Sequence, residues 1–580
     1  MISSLSDRHL RARASSETDR QSNTYEGVQL YEILKNVDFQ CKTNNEAHHT
    51  NEISVDRLIV RRGQGFTMTL DLQKPFDSSK DQLIFTAATG TALIYLTKTL
   101  QQYFCASSVQ QKEGLSLEVK PPVDAPIGKY TLSLKIGEKE SSLGSLVVLF
   151  NPWCKDDSVF MPDDKKRQEY VMNEQGVIYK GSKFFVLGAS WDFGQFEDKV
   201  LDICLKMLDL NSEYKKDPAA DVAARCDPIY VSRVISAMIN SDDDDGVLEG
   251  RWEGDFSDGI LPTCWNSSVD ILLLWQEQDY KSVKYGQCWV FAGIMCSVMR
   301  CLGIPCRVVT NFCSAYDANL SLTIDVFRDE EGVRTPETED SIWNFHVWVE
   351  GWMKRPDLTE DGTYDGWQVL DATPQDKSEG VYRCGPAPVK AILNGDTHLK
   401  YDVPFIFSEV NADCVEWLVS LPHMSIKVGK KISTKCVGSN KRAHCLCLSL
   451  SLSLSLSLSH THTHTHKCQV KGPFQSKTCF SHVFVPCLIL TLLSKVLFKN
   501  RTTLTFKDCC LTVSGSGLFK RNVVKKLAEL EPDHQARFTV DFAPHKVGKK
   551  TLLVDFDSSL FRDIKGSCII DVQPKASESN

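Results

Sequence analysis

One helix-patterned run, residues 289–302, restricts the fold of this chain more than any other feature of its sequence. The run is apolar and stops before Gly303 and Pro305, residue types that end helices. Its residues recur at helical spacing in two rows, Val290, Ile294, Val298 and Phe291, Met295, Met299. The run therefore predicts a buried helix around which a domain is organised.

Cys288 directly precedes this run, within the stretch Tyr285–Gly293 (YGQCWVFAG), and would lie at the N-terminal end of the helix. The unpaired N–H groups and the positive end of the helix dipole favour a thiolate there, and the thiolate is the reactive form of cysteine. A free cysteine is more commonly a buried core residue. The stretch alone therefore leaves both a nucleophilic and a packing role open.

Two later segments add acid–base groups. His346 lies in the alternating, strand-like stretch Trp343–Glu350, and Asp371 ends a short strand-like stretch before Pro374. A cysteine at a helix start, a histidine on a strand and an aspartate on the next strand follow the order of a papain-like thiol triad. Cys288 would be the nucleophile, His346 its base and acid, and Asp371 the group that orients the imidazole. Either polar residue alone is more commonly structural, but three in this order favour catalysis.

The stretches around these residues, YGQCWVFAG, WNFHVW and GWQVLDATPQ, resemble the three catalytic blocks of animal transglutaminases, the protein-glutamine gamma-glutamyltransferases. The resemblance covers most of Val28–Asn440 and roughly Asn500–Pro574. It includes HHTNEISVDRLIVRRGQ, LFNPWC and INSDDDDGVLEGRW. The stretches YVMNEQG, YVSRVISAMINS and NADCVEWLV are most similar to the epidermal-type members.

The resemblance implies a multidomain protein with an N-terminal β-sandwich, an α+β papain-like catalytic core and a C-terminal immunoglobulin-like β-barrel. A length of 580 residues exceeds one hydrophobic core and agrees with several domains. Short alternating strands over residues 26–151 indicate the sandwich. Residues 152–440 mix strands with helices predicted at Phe196–Leu210 and Tyr230–Asn240, and strands return over residues 500–576.

Residues 441–499 interrupt this pattern. Leu and Ser alternate over Leu448–Ser459, and His and Thr alternate over His460–His466, as a translated dinucleotide microsatellite would give. We interpret the segment as an aberrant insert that replaces the end of the core and the first of the family's two C-terminal barrels. Val483–Phe498 is apolar but contains a proline and a lysine, so it falls short of the ~18–20 clean residues of a membrane span.

Composition restricts the partners and the compartment. Lys and Arg number 66 against 74 Asp and Glu, a formal net charge of −8 with no basic stripe, so nucleic-acid binding is not expected. The 22 cysteines are scattered through a large chain, which favours free thiols over a disulfide framework. Residues 1–25 predict a disordered tail without the apolar region of a secretory signal or a lipid-anchor motif. We therefore expect a reduced, cytoplasmic protein without a membrane span.

The resemblance implies calcium-dependent acyl transfer between proteins with accessible Gln and Lys, or to amines. The Cys288 thiolate would attack a glutamine γ-carboxamide, His346 would protonate the leaving ammonia, and the thioester would pass to a lysine amine or, in deamidation, to water. The Cys288 N–H and, by resemblance, the indole N–H of Trp252 would bind the oxyanion. Trp343 would help wall the lysine tunnel. Core packing is the alternative for both tryptophans.

Calcium is the implied cofactor. The loop Asn240–Gly246 (NSDDDDG) stacks oxygen ligands as a hard cation requires, although taken alone it also fits a solvated acidic turn. By resemblance the first site comprises the Ala237 carbonyl, Asn240, Asp242 and Asp244. The second comprises Asp317, Asn319, Ser321, Thr323 and Asp340. The third comprises Asn411, Asp413 and Ser425, and it lacks two glutamates whose place the insert occupies.

Two other functions stay open. A catalytically impaired isoform could act as a non-enzymatic scaffold of the same fold, although the retained cysteine, histidine and aspartate argue against that role. A papain-like thiol hydrolase is the other alternative, and the sandwich and barrel motifs argue against it. For a guanine-nucleotide site the resemblance is partial, because Lys183 and Phe184 match half of it and the expected arginines near the first barrel have no counterpart.

Overall fold

The structure, a computed structural model, describes twelve stretches of the chain. They are residues 34–74, 83–89, 105–111, 114–136, 138–243, 245–418, 421–444, 485–486, 492–500, 504–532, 534–559 and 564–573. The predicted tail, residues 1–25, and both dipeptide repeats of the insert lie outside the described residues. The interpretations of those segments stay predictions.

The N-terminal domain is the predicted β-sandwich. Its elements are β1 (Leu34–Asp38), α1 (Cys41–Ala47), β2 (Ile59–Arg61), β3 (Phe66–Leu72), β4 (Leu83–Thr89), β5 (Cys105–Gln111), β6 (Gly114–Lys120), β7 (Gly128–Ile136) and β8 (Lys139–Leu149). The strands form two sheets in the orders β1-β3-β6-β5 and β2-β8-β7-β4. Alternate residues of a strand face inward, so Met68 of β3 and Leu132 of β7 meet in one core between the sheets.

Two adjacent buried arginines lie where the sandwich meets the next domain. Arg62 forms a two-point ion pair with Asp157, with Nε–Oδ2 at 2.7 Å and Nη2–Oδ1 at 2.8 Å. Arg61 donates from Nη1 to the carbonyl oxygen of Phe150 at 2.9 Å, and burial lowers its pKa to about 10. Removing either Arg62 or Asp157 would leave the other charge buried and unpaired, which costs ~3–5 kcal/mol. Arg62 of the motif LIVRRGQ therefore holds the sandwich to the core domain.

The α+β core domain follows, as predicted. Its helices are α2 (Asp164–Arg167), which continues into a π-helical turn (Gln168–Met172), α3 (Val200–Leu208), α4 (Ser212–Lys216), α5 (Pro218–Ala224), α6 (Pro228–Ile239), α7 (Ser268–Glu277), α8 (Cys288–Leu302), α9 (Val389–Asn394) and α10 (Val403–Asn411). Its strands are β9 (Gln175–Gly181), β10 (Val186–Asp192), β11 (Leu248–Gly250), β12 (Val283–Gly286), β13 (Cys306–Tyr316), β14 (Thr323–Arg328), β15 (Ser341–Met353), β16 (Gly366–Asp371), β17 (Lys377–Ser378), β18 (Val381–Tyr382), β19 (Cys384–Pro388), β20 (Asp413–Leu418), β21 (Leu421–Lys427), β22 (Lys430–Lys435) and β23 (Arg442–His444).

Helix α8 is the predicted buried helix, and all of its residues are buried. It ends at Gly303, whose φ of 97° lies in the left-handed region that glycine adopts without strain. A Cβ atom at this position would lie 2.5 Å from the carbonyl oxygen of Phe150. Glycine therefore lets the C-terminal end of α8 approach the N-terminal domain closely.

Two predicted helices begin at other residues than expected. Helix α3 begins at Val200 rather than Phe196, because Lys199 has a left-handed φ of 68° that interrupts a helix. Helix α6 begins at Pro228, two residues before the predicted start. Asp227 caps it by accepting a hydrogen bond from the N–H of Ile229 at 2.8 Å, and proline fits the first helical position.

A six-stranded sheet in the order β19-β16-β15-β13-β22-β23 packs against α8 through β15 and β13. A separate three-stranded sheet has the order β14-β20-β21. The larger sheet includes β23, which ends at His444, so the core continues past its predicted end at residue 440. The sheet and α8 together form the frame that carries the three predicted catalytic residues.

The C-terminal β-domain starts earlier than predicted. Its strands are β24 (Val485–Pro486), β25 (Leu492–Lys499), β26 (Cys510–Ser514), β27 (Val523–Lys526), β28 (Gln535–Phe542), β29 (Gly548–Asp557) and β30 (Ile564–Gln573). Strand β25 falls inside the predicted insert, yet it pairs antiparallel with β28 over its whole length. The predicted boundary at residue 500 was wrong because an apolar segment reveals its partner strand only in the folded sheet.

The C-terminal domain docks on the core through a buried carboxylate. Glu197 accepts hydrogen bonds from the hydroxyl of Ser516 and the N–H of Gly517, both at 2.9 Å, and its other oxygen lies 2.8 Å from His545 Nε2. Burial alone would raise the pKa of Glu197, but His545 and the nearby Lys546 lower it to about 2. The carboxylate therefore stays charged and holds the two domains together.

The cysteines whose side chains the structure describes are all free thiols, as the scattered spacing predicted. Within the described residues, no helix combines the length and the apolar character needed to cross a membrane.

Candidate active site

Cys288 is the first residue of α8, as predicted. Its N-cap, Gln287, has extended backbone angles and makes no side-chain capping bond, so its side chain leaves the first N–H groups of the helix uncapped. The residue as a whole is 6% exposed and belongs to a buried cluster with Trp289 and Phe291. The cysteine therefore combines a helix N-terminus with near-complete shielding from water, conditions that suit a nucleophile for acyl transfer.

The sheet register brings His346 and Asp371 together. Strands β15 and β16 pair antiparallel with Val349 opposite Leu370, and this register places Asp371 opposite Trp348. His346 lies two residues from Trp348 on the same strand and so faces the same side of the sheet. Its Nε2 lies 2.6 Å from Asp371 Oδ2, and both side chains are buried.

The electrostatics of this pair favour a charged imidazole. Burial by itself disfavours the imidazolium, but the charge and hydrogen bond of Asp371 and a hydrogen bond with Cys288 hold the pKa of His346 well above its usual value. The other carboxylate oxygen of Asp371, Oδ1, accepts a hydrogen bond from the N–H of Thr373 at 2.9 Å. Asp371 is thus hydrogen-bonded to His346, and Cys288 is a further group that raises the pKa of this imidazole.

Two further residues lie beside His346 and were assigned no role from the sequence. Glu409 of α10 is buried, and its Oε1 lies 3.8 Å from His346 Nε2. Burial raises the pKa of Glu409 to about 8. Gln375 lies 3.1 Å from the same imidazole nitrogen through its Nε2. A lone glutamate inside the apolar helix sequence VPFIFSEV is the signal that could have identified Glu409, because such a residue is rarely buried without a partner.

Trp252, the predicted oxyanion donor, lies beside the start of α8. Its ring stacks on Phe291 with centroids 6.4 Å apart, and the side chain remains 39% exposed. The amide of Gln287 donates to the carbonyl oxygens of Arg251 and Trp252 at 3.0 and 3.4 Å. The residue that precedes Cys288 thus fixes the backbone that carries Trp252.

Trp343, the predicted tunnel wall, lies near the start of β15 opposite Ser314 of β13. Its side chain is 47% exposed, unlike Trp348 further along the same strand, which is buried. A large exposed aromatic three residues before His346 is therefore not explained by core packing, which was the alternative interpretation.

The residues predicted for the second calcium site form one hydrogen-bonded loop. The loop comprises Asp317, Asn319, Ser321 and Thr323, with Asp340 from the start of the β15 segment. The carboxylate of Asp317 accepts from the N–H groups of Ser321 and Leu322 at 3.1 and 2.7 Å. Asp340 accepts from the N–H groups of Ala318 and Asp325 at 2.9 and 2.8 Å. Five oxygen-bearing side chains are thus held around one short turn.

The first predicted calcium site lies where α6 ends. Asn240 is the C-cap of α6, and its Oδ1 accepts from the N–H of Asp242 at 3.1 Å. Ala237 lies in the last turn of the same helix. Asp244 lies outside the described residues. The neighbouring Asp243 instead pairs with Lys377 at 2.9 Å, so the acidic run is divided between the loop and β17.

The third predicted calcium site adjoins the second. Asn411 ends α10 and Asp413 begins β20, where it lies opposite Thr323 of β14 in a parallel register. Ser425 lies on the next strand, β21, where its side chain is not described. Thr323 of the second site therefore lies on the same small sheet, β14-β20-β21, as Asp413 and Ser425 of the third.

The two residues that resemble half of a nucleotide site lie at the β9–β10 hairpin. Lys183 Nζ lies 5.1 Å from the ring centroid of Phe184, whose side chain is 86% exposed. A cavity of 390 Å³ beside the hairpin is lined by Tyr179, Phe184, Phe185, Val186, Lys431 and Arg442. Two positively charged side chains line it, Lys431 of β22 and Arg442 of β23, and the sequence analysis indicated neither residue.

Comparisons with known families match three separate parts of the chain. Models described as "Transglutaminase family" and "Transglutaminase-like superfamily" match residues 35–137 and 274–372. A model described as "Transglutaminase family, C-terminal ig like domain" matches residues 492–574, which agrees with β25 as part of the last domain.

Curated relatives show the same likeness over most of the chain. Protein-glutamine gamma-glutamyltransferase 2 of Bos taurus is 47% identical over 434 residues, which are 71% of this chain and 63% of the relative. Protein-glutamine gamma-glutamyltransferase 6 of Homo sapiens is 47% identical over 430 residues, 70% of this chain and 60% of the relative. The chain thus spans less than two thirds of the length of these relatives. Human type 5 also matches at 47%, so the predicted epidermal-type subfamily stays a prediction.

A solved structure extends the likeness to the whole fold. The crystal structure of red sea bream transglutaminase superposes with a TM-score of 0.82 at 32% identity, covering 94% of this chain and 100% of the fish enzyme. Three observations indicate the same family: the order of the domains, the sheet packed against α8, and these matches. The chain belongs to the transglutaminase family.

Proposed function

We propose that this chain is a calcium-dependent protein-glutamine gamma-glutamyltransferase that forms Gln–Lys isopeptide crosslinks through a cysteine thioester. One observation carries the proposal: Cys288 begins a buried helix and contacts an imidazole that is held at 2.6 Å by a buried carboxylate. A charged imidazole beside a thiol stabilises the thiolate, which is the form that attacks an amide.

In the acylation step the Cys288 sulfur attacks the γ-carboxamide carbon of a substrate glutamine, and a carbon–sulfur bond forms. The carbon–nitrogen bond then breaks as the His346 imidazolium gives its proton to the leaving nitrogen, which departs as ammonia. Asp371 keeps the imidazole in the orientation and tautomer that this transfer needs. The products are a thioester and a neutral His346.

In the second step a lysine ε-amine attacks the thioester carbon. His346 takes a proton from the amine, the carbon–nitrogen bond of the isopeptide forms, and the sulfur leaves as thiolate. Water in place of the amine gives glutamate, which is deamidation. Shielding of Cys288 from water, 6% exposed, favours the amine over hydrolysis.

Trp252→Ala is expected to slow acylation far more than it weakens substrate binding. Loss of one oxyanion donor lowers kcat by ~10²–10³-fold, because the donor acts on charge that develops only in the transition state. The measurement is kcat and KM for labelled-amine incorporation into a glutamine donor protein. Phe185→Ala removes a comparably exposed ring at the β9–β10 hairpin and serves as control. An unchanged kcat in the Trp252 variant would assign this tryptophan to packing.

Calcium fits the residues of the second site best. Carboxylate, amide and hydroxyl oxygens from Asp317, Asn319, Ser321 and Asp340 surround one turn, and a hard cation takes oxygen ligands of these types. Each carboxylate oxygen that accepts one N–H retains a further lone pair. Bound calcium supplies positive charge that neutralises the acidic loops, and Asp317, Asn319, Ser321, Thr323 and Asp340 are the residues that would hold it.

Asp317→Asn is expected to weaken calcium binding and to remove part of the stabilisation that calcium gives. A ligand at 100 times its Kd stabilises the folded state by about 2.7 kcal/mol, and loss of the site removes that gain. Thermal unfolding with and without calcium measures the effect independently of activity. Asp329→Asn on a nearby turn is the matched control. An Asp317 variant with the full calcium-induced rise in Tm would exclude this loop as a calcium site.

Amine incorporation into a glutamine donor protein separates the three candidate functions. A transglutaminase incorporates the amine, a thiol hydrolase only releases product, and a non-enzymatic scaffold does neither. We infer a cytoplasmic setting, because a catalytic thiol must stay reduced. The proposed partners are proteins with accessible Gln and Lys side chains, or small amines. Absence of all turnover in a folded, calcium-loaded protein would favour the scaffold.

A further inference from the structure

The side-chain amide of Gln375 lies among the acid–base groups of the site without having a place in the reaction described above. Its Nε2 is 3.2 Å from Asp371 Oδ2, 3.3 Å from Glu409 Oε1 and 3.1 Å from His346 Nε2. One amide nitrogen therefore contacts the base and two carboxylates at once.

The number of hydrogens shows which of these contacts are hydrogen bonds. A glutamine amide nitrogen carries two hydrogens, and Asp371 and Glu409 offer two acceptors. The Nε2–H of His346 points at Asp371 at 2.6 Å, so its approach to Gln375 is a contact between two donors. The opposite amide orientation would place a carbonyl oxygen 3.2 Å from the Asp371 carboxylate oxygen, where two acceptors repel each other. The amide nitrogen therefore bridges Asp371 and Glu409.

Both ends of this bridge are held by the fold. The N–H of Gln375 donates to the carbonyl oxygen of Thr373 at 2.8 Å, which fixes the turn that follows β16. Glu409 is buried on α10, and its backbone carbonyl accepts from Asn311 Nδ2 at 2.9 Å. The bridge thus connects the end of β16 to a helix that is 34 residues away in the chain.

We propose that Gln375 is a positioning residue that ties the Asp371 carboxylate to Glu409 and so fixes the direction in which Asp371 accepts the hydrogen bond of His346. Without the bridge, Oδ2 of Asp371 retains only the imidazole as a donor, and the connection between Asp371 and Glu409 is lost. The inference rests on the proposed acyl transfer for its kinetic consequence, but the geometry of the bridge does not depend on that reaction.

Two substitutions at this position separate hydrogen bonding from packing. Gln375→Met keeps the length of the side chain and removes both donors. Gln375→Glu keeps the shape as well and places a third acidic side chain beside Asp371 and Glu409. Because hydrogen bonds to charged groups are the stronger ones, we expect Gln375→Met to lower kcat by about 10-fold with KM unchanged. Gln375→Glu should lower kcat further. If Gln375 only filled space, this isosteric change would instead lower kcat less than Gln375→Met does.

The second readout is the rate at which iodoacetamide alkylates Cys288, located by peptide mass spectrometry. It reports the thiol–imidazole pair without any transamidation. Gln195→Met is the matched control, since it removes a buried amide that donates to the carbonyls of Val171 and Asn173 at 3.0 and 3.1 Å, away from the site. The control should lower Tm and leave kcat and the alkylation rate unchanged.

The outcomes distinguish the two proposals. A wild-type chain without amine incorporation would contradict the proposed function, while slower alkylation of Cys288 in both Gln375 variants would still support the positioning role. Wild-type kcat and alkylation rates in both variants would overturn it. A fall in kcat that merely follows Tm, as large in Gln195→Met as in Gln375→Met, would also overturn it.

Discussion

Replacement of Cys288 by alanine is expected to abolish both amine incorporation and deamidation while leaving the fold intact. Both reactions pass through the same thioester, and alanine offers no atom that can form it. The substitution removes a single sulfur atom at the first position of α8, where alanine is a good helix former. The measurement is labelled-amine incorporation and ammonia release, alongside thermal unfolding.

Cys41→Ala is the matched control for this prediction. Cys41 is a half-buried free thiol on α1 of the N-terminal domain, distant from the frame that carries the site. We expect the control to retain full turnover. Turnover in the Cys288 variant above the background of the uncatalysed reaction would contradict the assignment of the nucleophile.

Asp371→Asn is expected to lower kcat by ~10⁴-fold, a magnitude known for the equivalent change in serine protease triads. Burial disfavours a charged His346, and Asp371 provides both the charge and the hydrogen bond that oppose this effect and raise the pKa of the imidazole. An asparagine lacks the charge. The imidazolium of the variant therefore loses its proton at a lower pH, and fewer molecules hold the acid that ammonia departure needs.

The measurement is the initial rate of amine incorporation across the pH range in which the wild type is active. Asp361→Asn, on the exposed turn before β16, controls for a general effect of the substitution. A loss smaller than about tenfold would show that Asp371 does not act through His346 in the transition state.

These two variants also discriminate between the candidate functions. A scaffold has no turnover to lose, so neither substitution would change any of its measured properties except stability. A thiol hydrolase would lose product release in both variants and would never incorporate an amine. The crosslinking proposal therefore requires that the wild type incorporates amines and that both variants fail to do so.

The sequence by itself determined the elements whose pattern is local. The apolar rows of residues 289–302 predicted α8 and placed Cys288 at its start, and both predictions are confirmed as structure. Alternation of apolar residues predicted the strands that carry His346 and Asp371. Such patterns are readable because helix and strand periodicity depends only on neighbours within a few residues.

The tertiary structure alone decided which side chains meet. His346 and Asp371 are 25 residues apart in the chain, and only the register of β15 against β16 brings them to 2.6 Å. The bridge from Gln375 to Glu409 spans 34 residues and joins a turn to a helix of a different pattern. No periodicity within either segment specifies the other, because their pairing follows from how the sheet and α10 pack together.

The same distinction explains the boundary that was predicted wrongly. Strand β25 lies in an apolar segment next to a low-complexity stretch, and its composition did not separate a strand of the last domain from an insert. Its eight residues are assigned by their partners on β28. Apolar alternation specifies that a segment is buried against a neighbour, but the identity of that neighbour is a property of the folded domain.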